Sequence, residues 1–171
     1  MALTFQEYQK LAIRTLPPAD HPGGHISTLA LGLSGEAAEC AVAMSTGHRE
    51  KIIKEIGDVY WYIATIMYRY NIQDDQNKAT FVEGAGSTCR EQIMVYGGLA
   101  ADMVKKHTGH LHKLDVDALA GFVLAAKAAL DEIVWCNGFS FEVIALSNDA
   151  KLRERFPNGF TSEASINRPK D

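Results

Sequence analysis

The fold is decided by the stretch LALGLSGEAAECAVAMSTGHREKIIKEIGDVYWYIATIMYRY, residues 29–70. It contains two acidic pairs, Glu36 with Glu39 and Glu55 with Asp58. The acids of each pair are three residues apart, a spacing that places both carboxylates on one face of an α-helix. Between the pairs, the short sequence STGH predicts a helix end and a turn. Because two helices joined by so short a turn fold back antiparallel, we expect the two pairs to face each other.

Apolar residues surround both acidic pairs. In the second predicted helix they recur every three or four residues, a pattern typical of a helix face packed in a core. They are Ile52, Ile56, Val59, Tyr60, Ile63, Met67 and Tyr70. In the first predicted helix the acids share a face with the small residues Gly32 and Ala43, which we expect to leave room for a ligand. One such pair alone would be typical of solvated surface acids, but two pairs flanking one turn favour a site.

Four carboxylates brought together repel one another. At an effective dielectric constant of ~20, two unit charges 4 Å apart cost about 4 kcal/mol. Protons, Lys or Arg side chains, or a divalent cation must therefore compensate the charge. Ligand sets made only of oxygen suit hard cations, so the sequence predicts Mg²⁺ or Mn²⁺ as the occupant.

The sequence also resembles a known family over most of its length. The segments GLSGEAAEC and KEIGDVYWYIA, residues 32–40 and 54–64, resemble the E-x-x-E, spacer, E-x-x-D signature of MazG-like nucleoside triphosphate pyrophosphohydrolases. The resemblance extends to FQEYQ near the start, residues 5–9, and to NDAKLRERFPNGF near the end, residues 148–160. It implies an all-α fold that assembles as a homodimer or homotetramer, with sites near the subunit interfaces.

The resemblance also implies a reaction. Water attacks the α-phosphorus of a (d)NTP, releasing (d)NMP and pyrophosphate, with divalent metal held by all four acids. Glu39 is the candidate acceptor of the water's proton, with Glu36 beside it. Some relatives carry a further glutamate just before the first pair, where this chain has Gly35.

Several residues outside the acidic pairs are candidates for binding the substrate. Asn148, Lys151 and Arg155 lie three and four residues apart, so they share one face of a predicted helix. By the resemblance, the two cations neutralise the β- and γ-phosphates and the amide donates to a phosphate or the sugar. Other candidates are Lys54 and Lys105 for the phosphates and Trp61 for stacking on a base, although an aromatic residue at such a position is typical of a core.

The base is left open by the sequence. The small residues Gly32, Gly35 and Ala43 favour a purine, GTP or dGTP, as the substrate. A dUTP or modified-pyrimidine pyrophosphatase and a phosphoribosyl-ATP hydrolase are alternatives within the class. A different class also fits the acidic pairs, namely a helical interaction module that binds metal without turnover. His21 and His25 precede the site and are interpreted as loop residues, because a site built from oxygen ligands does not call for imidazole.

Composition narrows the class of protein. The chain has 171 residues, of which 47% are hydrophobic and 22% charged, as in an ordinary soluble single domain covering residues 1–171. A net charge of −4 argues against a nucleic-acid polymer or an anionic membrane as partner. The start has no signal-peptide pattern, and the longest apolar run is too short to cross a membrane. Three distant cysteines are expected to be buried free thiols, so the sequence predicts a cytoplasmic protein.

Helical periodicity extends through most of the chain. The sequence predicts an all-α bundle of five or six helices with a four-helix core. Its four core helices are expected at residues 26–46, 49–70, 88–107 and 115–137. A first helix is expected at residues 4–15, a last one starts near residue 140, and residues 157–171 are expected to be an irregular tail.

Overall fold

A computed structural model describes residues 2–167, and within that range the chain is helical with no β-strand. The predicted all-α class is therefore confirmed. The α-helices are α1 (Phe5–Ala12), α2 (Ile26–Thr46), α3 (Arg49–Arg69), α4 (Cys89–His110), α5 (Val116–Cys136), α6 (Phe141–Arg155) and α7 (Ser162–Ile166). Short 3₁₀ helices lie at Ile13–Thr15, Pro22–Gly24 and Gln76–Lys78.

The helix ends follow from capping residues in the sequence. The Thr4 hydroxyl accepts from the backbone N–H of Glu7, whose carboxylate in turn accepts from the Thr4 N–H, so α1 begins with a capping box. Helix α2 ends at Gly47, whose φ of 71° is left-handed and favours glycine. Helix α4 runs three residues further than predicted, to His110, with Leu111 left-handed after it.

Four helices form the bundle. Helix α2 packs against α3 and α4, and α5 packs against the other sides of α3 and α4. Helices α1 and α6 pack against the remaining face of α3. Helix α3 therefore has neighbours on most of its sides, which explains why Glu55 is buried along with its apolar residues. The same packing brings α6, distant in sequence, beside the acidic pair of α3.

Two expectations about the rest of the chain need correction. Residues 162–166 form helix α7, so the segment 157–171 is not irregular throughout, and residues 168–171 lie outside the described range. All three cysteines are free thiols, as expected, but only Cys40 is buried, and Cys136 is exposed at the end of α5. Among residues 2–167, no helix is long and apolar enough to cross a membrane.

Candidate active site

Three of the four predicted acids converge. Glu36 and Glu39 on α2 and Glu55 on α3 each offer one carboxylate oxygen to a group in which all three oxygens lie within 4.8 Å of one another. These three residues are called the acidic cluster below. The helical hairpin produces it as predicted, because the turn at Gly47 sets the i, i+3 pair of α2 against the face of α3.

Among the described residues, burial and mutual repulsion in the acidic cluster outweigh the nearby cations Lys54 and Lys151. Glu55 is only 2% exposed, and its Oε2 has no hydrogen-bond partner among the described residues. The cation found beside it is Lys54, whose Nζ lies 3.7 Å from Glu55 Oε1. Burial, followed by the charges of Asp58, Glu39 and Glu55, raises the pKa of Glu36 to about 7. Burial is also the main cause that raises the pKa of Glu55.

The fourth predicted ligand, Asp58, is outside the acidic cluster. Its Oδ1 accepts hydrogen bonds from the Lys151 ammonium and from Asn148 Nδ2, the latter at 2.9 Å. The Asn148 amide is buried, and its Oδ1 accepts from the Tyr8 hydroxyl at 2.9 Å. We call Tyr8, Asp58, Asn148 and Lys151 the Asp58 network. These hydrogen bonds and the ion pair compensate the charge of Asp58, and its role as a fourth cation ligand stays a prediction.

Close helix packing makes this network possible. A Cβ at Gly57 would lie 3.0 Å from Asn148 Cβ, so α6 approaches α3 closely only because residue 57 has no side chain. Burial, with the charges of Asp58 and Asp149, raises the pKa of Tyr8 well above its usual range. The phenol therefore stays protonated and serves as a donor to Asn148.

A cleft of about 360 Å³ opens over the acidic cluster, a volume in the range typical of small-molecule sites. Its walls include all three cluster acids and Asp58. The predicted substrate-binding residues Lys54, Arg155 and Trp61 also line it. The cleft thus combines acids, cations and aromatic rings in one space.

The other predicted substrate-binding residues are placed differently. Lys105, on α4, forms ion pairs with Asp102 and is not part of the cleft wall among the described residues. Asn148 and Lys151 act on Asp58, so their direct role at the phosphates stays a prediction. Trp61 donates its indole N–H to Thr15 Oγ1 at 3.0 Å, which fixes the ring in the wall.

The space beside the small residues of α2 differs from one residue to the next. A Cβ at Gly32 would lie 2.1 Å from the Tyr62 ring, so that ring already fills the space beside the glycine. Ala43 is buried in the core. A Cβ at Gly35 would meet nothing within 4 Å, so of these three residues only Gly35 borders open space, and the preference for guanine nucleotides stays a prediction.

Several cleft residues were not identified from the sequence. They come from the segment between α1 and the first turn of α2 and from the segment after α6: Thr15, Pro17, Gly23, Thr28, Phe156, Phe160 and Ser165. The signal available was the sequence FPNGF, whose proline and glycine predict a turn. Nothing in that pattern shows that the turn brings Phe156 and Phe160 back over the acids.

The acidic cluster fits a divalent cation. Its donors are three carboxylates, the ligand type that hard cations such as Mg²⁺ and Mn²⁺ prefer. The buried Glu55 Oε2 lacks a hydrogen-bond partner among the described residues, which is costly for a carboxylate unless a cation or proton supplies the missing interaction. The donor set is therefore suited to a divalent cation.

Comparison with known families agrees with this geometry. Residues 25–90 match the MazG nucleotide pyrophosphohydrolase domain. The matched segment contains α2, α3 and every member of the acidic cluster. The helical hairpin that carries the cluster is therefore similar to the MazG nucleotide pyrophosphohydrolase domain, and the resemblance seen in the sequence is confirmed over these residues. No curated protein and no solved structure is significantly similar to the chain.

The match to this domain supports a general activity. It supports a nucleotide pyrophosphohydrolase, an enzyme that takes a nucleotide as substrate. Enzymes of this family generally depend on a divalent metal, and the acidic cluster supplies suitable ligands.

Proposed function

We propose that this protein is a metal-dependent nucleoside triphosphate pyrophosphohydrolase that converts a (d)NTP and water into a (d)NMP and pyrophosphate. The observation that carries the proposal is the convergence of three carboxylates within 4.8 Å in a cleft also lined by Lys54 and Arg155. An acidic pocket alone would repel a triphosphate. Once a divalent cation offsets the charge of the carboxylates, the site and its flanking basic residues suit an anionic substrate.

Glu36, Glu39 and Glu55 would hold the cation, which we propose is Mg²⁺ or Mn²⁺. When bound, such a cation neutralises phosphate charge and lowers the pKa of water. Glu55 is the buried ligand at the back of the cluster, and Glu39 is the exposed ligand at its edge. Because of this difference in exposure, we assign Glu55 to holding the cation and Glu39 to contact with the attacking water.

The chain's own residues then account for the proton and the leaving group. Glu39, with its exposed carboxylate, accepts the proton of the attacking water as the oxygen bonds to the α-phosphorus. The bond from that phosphorus to the bridging oxygen breaks, and pyrophosphate leaves with the electron pair. Lys54 and Arg155, which line the same cleft, stabilise the negative charge on the departing pyrophosphate.

The Asp58 network acts by holding the Asp58 carboxylate and helix α6 in position. Lys151 and Asn148 hold the Asp58 carboxylate, which lines the cleft next to the acidic cluster and adds to the field that raises the pKa of Glu36. We therefore assign Lys151 and Asn148 the role of keeping α6 docked on α3, with Arg155 following on the last turn of α6.

Product analysis tests this function. The protein is incubated with Mg²⁺ and a panel containing dGTP, GTP, dUTP, dCTP and dATP, and the products are separated. Nucleoside monophosphate with pyrophosphate is the expected result, and relative rates report the base preference, including dUTP. Diphosphate with phosphate would contradict the chemistry, and no turnover with any nucleotide would favour a metal-binding interaction module. Glu39→Gln should lose turnover, whereas Glu132→Gln, an exposed glutamate on α5, should match wild type.

We also propose that the chain forms one MazG-like domain and assembles as a homodimer or homotetramer. Residues of helices α1 to α6 share one buried core, which supports a single domain. On α2, Leu31 and Val42 are 66% and 60% exposed, with Gly35 and Ala38 exposed between them. An apolar stripe of this kind is typical of a helix that packs against another subunit. Light scattering gives the mass, and Val42→Glu should reduce it to that of one chain.

A further inference from the structure

Two pairs of aromatic rings line the cleft from elements far apart in sequence. Trp61 and Tyr62, on α3, meet edge to face with ring centroids 4.9 Å apart. Phe156 and Phe160, after α6, have ring centroids 5.7 Å apart. All four side chains are partly exposed and line the same space as the acidic cluster.

The segment that carries the second pair is held in place by specific contacts. Gly159 has a φ of 89°, which favours glycine, and its N–H donates to Phe156 O at 3.1 Å, closing the turn between the two phenylalanines. A Cβ at Gly159 would lie 3.2 Å from Arg14 O, so the turn is seated against the end of the first helical segment. Phe160 and its partner ring are therefore fixed over the cleft.

His21 attaches the same segment to the loop before α2. Its Nδ1 accepts from the Gly23 N–H at 3.0 Å, and its Nε2 lies 3.1 Å from Ser162 Oγ. In the neutral ring this assigns the proton to Nε2, which donates to Ser162. The imidazole also meets the Phe160 ring edge to face, at 4.9 Å between centroids. The loop residue that appeared unimportant in the sequence thus supports an aromatic wall of the cleft.

The cleft is divided by chemistry. One set of lining residues is charged, namely the acidic cluster with Lys54 and Arg155, and the other set is aromatic, namely the two aromatic pairs. A nucleotide has the same division, with charged phosphates at one end and a flat aromatic base at the other. Building on the proposed function, we infer that Phe156 and Phe160, held by the Gly159 turn and His21, form the wall against which the nucleobase of the substrate stacks, opposite Trp61 and Tyr62.

Stacking on this wall provides affinity for the base and leaves the phosphates to the other end of the cleft. Loss of one stacking ring raises the Kd for a nucleic-acid base by roughly five- to a hundredfold. The inference therefore predicts that removing the Phe160 ring weakens the binding of a nucleotide. The binding of inorganic tripolyphosphate, which carries the charge without the base, should not change.

The test uses binding, so that it does not depend on turnover. The chain has two tryptophans, and Trp135 is 81% exposed on α5, so Trp135→Phe leaves Trp61 as a single fluorescent reporter in the cleft. With Mg²⁺ present, this background is titrated with the α,β-methylene analogues of dGTP and dUTP and with tripolyphosphate. The variants are Phe160→Leu, which removes the ring, Phe160→Tyr, which keeps it, and Phe81→Leu, a control at a phenylalanine 64% exposed in the loop after α3.

We expect Phe160→Leu to raise the Kd of both analogues roughly five- to a hundredfold. It should leave tripolyphosphate unchanged, and Phe160→Tyr and Phe81→Leu should bind like the parent. Phe156→Leu should behave as Phe160→Leu does, and it replaces that variant if thermal melting shows the latter to be unfolded.

Two results would overturn the inference while leaving the proposed function standing. The first is nucleotide affinity in Phe160→Leu equal to that in Phe81→Leu, with hydrolysis retained. The second is an equal loss of affinity for tripolyphosphate and for the analogues, which would show that the wall contacts the phosphates. If the parent binds neither analogue and hydrolyses no nucleotide, the proposed function and the inference both fail.

Discussion

The acidic cluster and the Asp58 network contain the same kind of side chain in the same cleft, yet their charges are balanced in different ways. Asp58 accepts hydrogen bonds from Lys151 and Asn148, so the protein itself compensates its charge. Glu55 is more deeply buried and has one carboxylate oxygen without a hydrogen-bond partner among the described residues. The two regions are one helical turn apart on α3.

The difference separates a structural acid from a site acid. A buried carboxylate whose partners are internal stabilises the fold, and removing it exposes its partners to the cost of desolvation. A buried carboxylate without partners weakens the fold until a ligand arrives. Substitutions in the two regions should therefore change stability in opposite directions, and that contrast is open to direct measurement.

The largest effect is expected at Glu55. Glu55→Gln removes a cation ligand, so turnover of a (d)NTP with Mg²⁺ should fall roughly a hundred- to thousandfold, the scale of losing one electrostatic contact in the transition state. The Tm in chelator should rise, because an amide carries no charge to repel Glu36 and Glu39. Steady-state kinetics and thermal melts measure both. A variant that keeps full turnover, with Glu132→Gln as control, would remove Glu55 from the site.

At Asp58 we expect the opposite change in stability. Asp58→Asn leaves the Lys151 ammonium without its counter-ion, so the free energy of unfolding in chelator should fall by about 1–3 kcal/mol. The sequence alone favours the reverse result, because in a four-acid cluster an amide would relieve repulsion. Denaturant unfolding beside Asp20→Asn, an exposed loop control, decides between them. An increase in stability would show that Asp58 belongs with the acidic cluster.

A smaller loss is expected at Tyr8. Tyr8→Phe removes the hydroxyl that donates to Asn148 Oδ1, so the free energy of unfolding should fall by about 1–2 kcal/mol. The matched control is Tyr68→Phe on α3, where the side chain is 53% exposed and the change should be near zero. Equal stabilities for the two variants would mean that Asn148 keeps its orientation without Tyr8.

The smallest effect is a dependence on pH. The pKa of Glu36 is raised from its usual 4.5 to about 7, mainly by burial, and that of Glu55 is also raised. Between those limits the folded protein binds protons that the unfolded chain has released, so stability in chelator should fall as the pH rises from about 4.5 to about 7. Melts in EDTA across this range measure it, and Glu36→Gln should flatten the slope. A rise in Tm over the same range would contradict the raised pKa values.

Much of this molecule is predictable from local patterns. Capping residues such as Thr4, the turn glycine Gly47 and the i, i+3 acids specify helices and the faces they present, and the structure agrees with all three. These features depend on residues within one or two helical turns of each other, which is the range that spacing in a sequence describes.

The remaining features depend on contacts between distant segments. The partners of Asp58 come from α6, and the spacing of Asn148 and Lys151 gives their shared face but not what that face touches. The Tyr62 ring occupies the space beside Gly32, although small residues in isolation predict an open pocket. The return of Phe156 and Phe160 over the cleft follows from the seating of Gly159 against Arg14, which no periodic pattern shows.

The central claim is that the acidic cluster, and not the Asp58 network, provides the cation ligands. Binding of Mn²⁺, followed by electron paramagnetic resonance without any nucleotide, tests it most directly. We expect wild type and Tyr8→Phe to bind Mn²⁺ with similar affinity, and Glu55→Gln to lose that binding. Retention of full Mn²⁺ affinity by Glu55→Gln, or no binding by wild type, would contradict the claim.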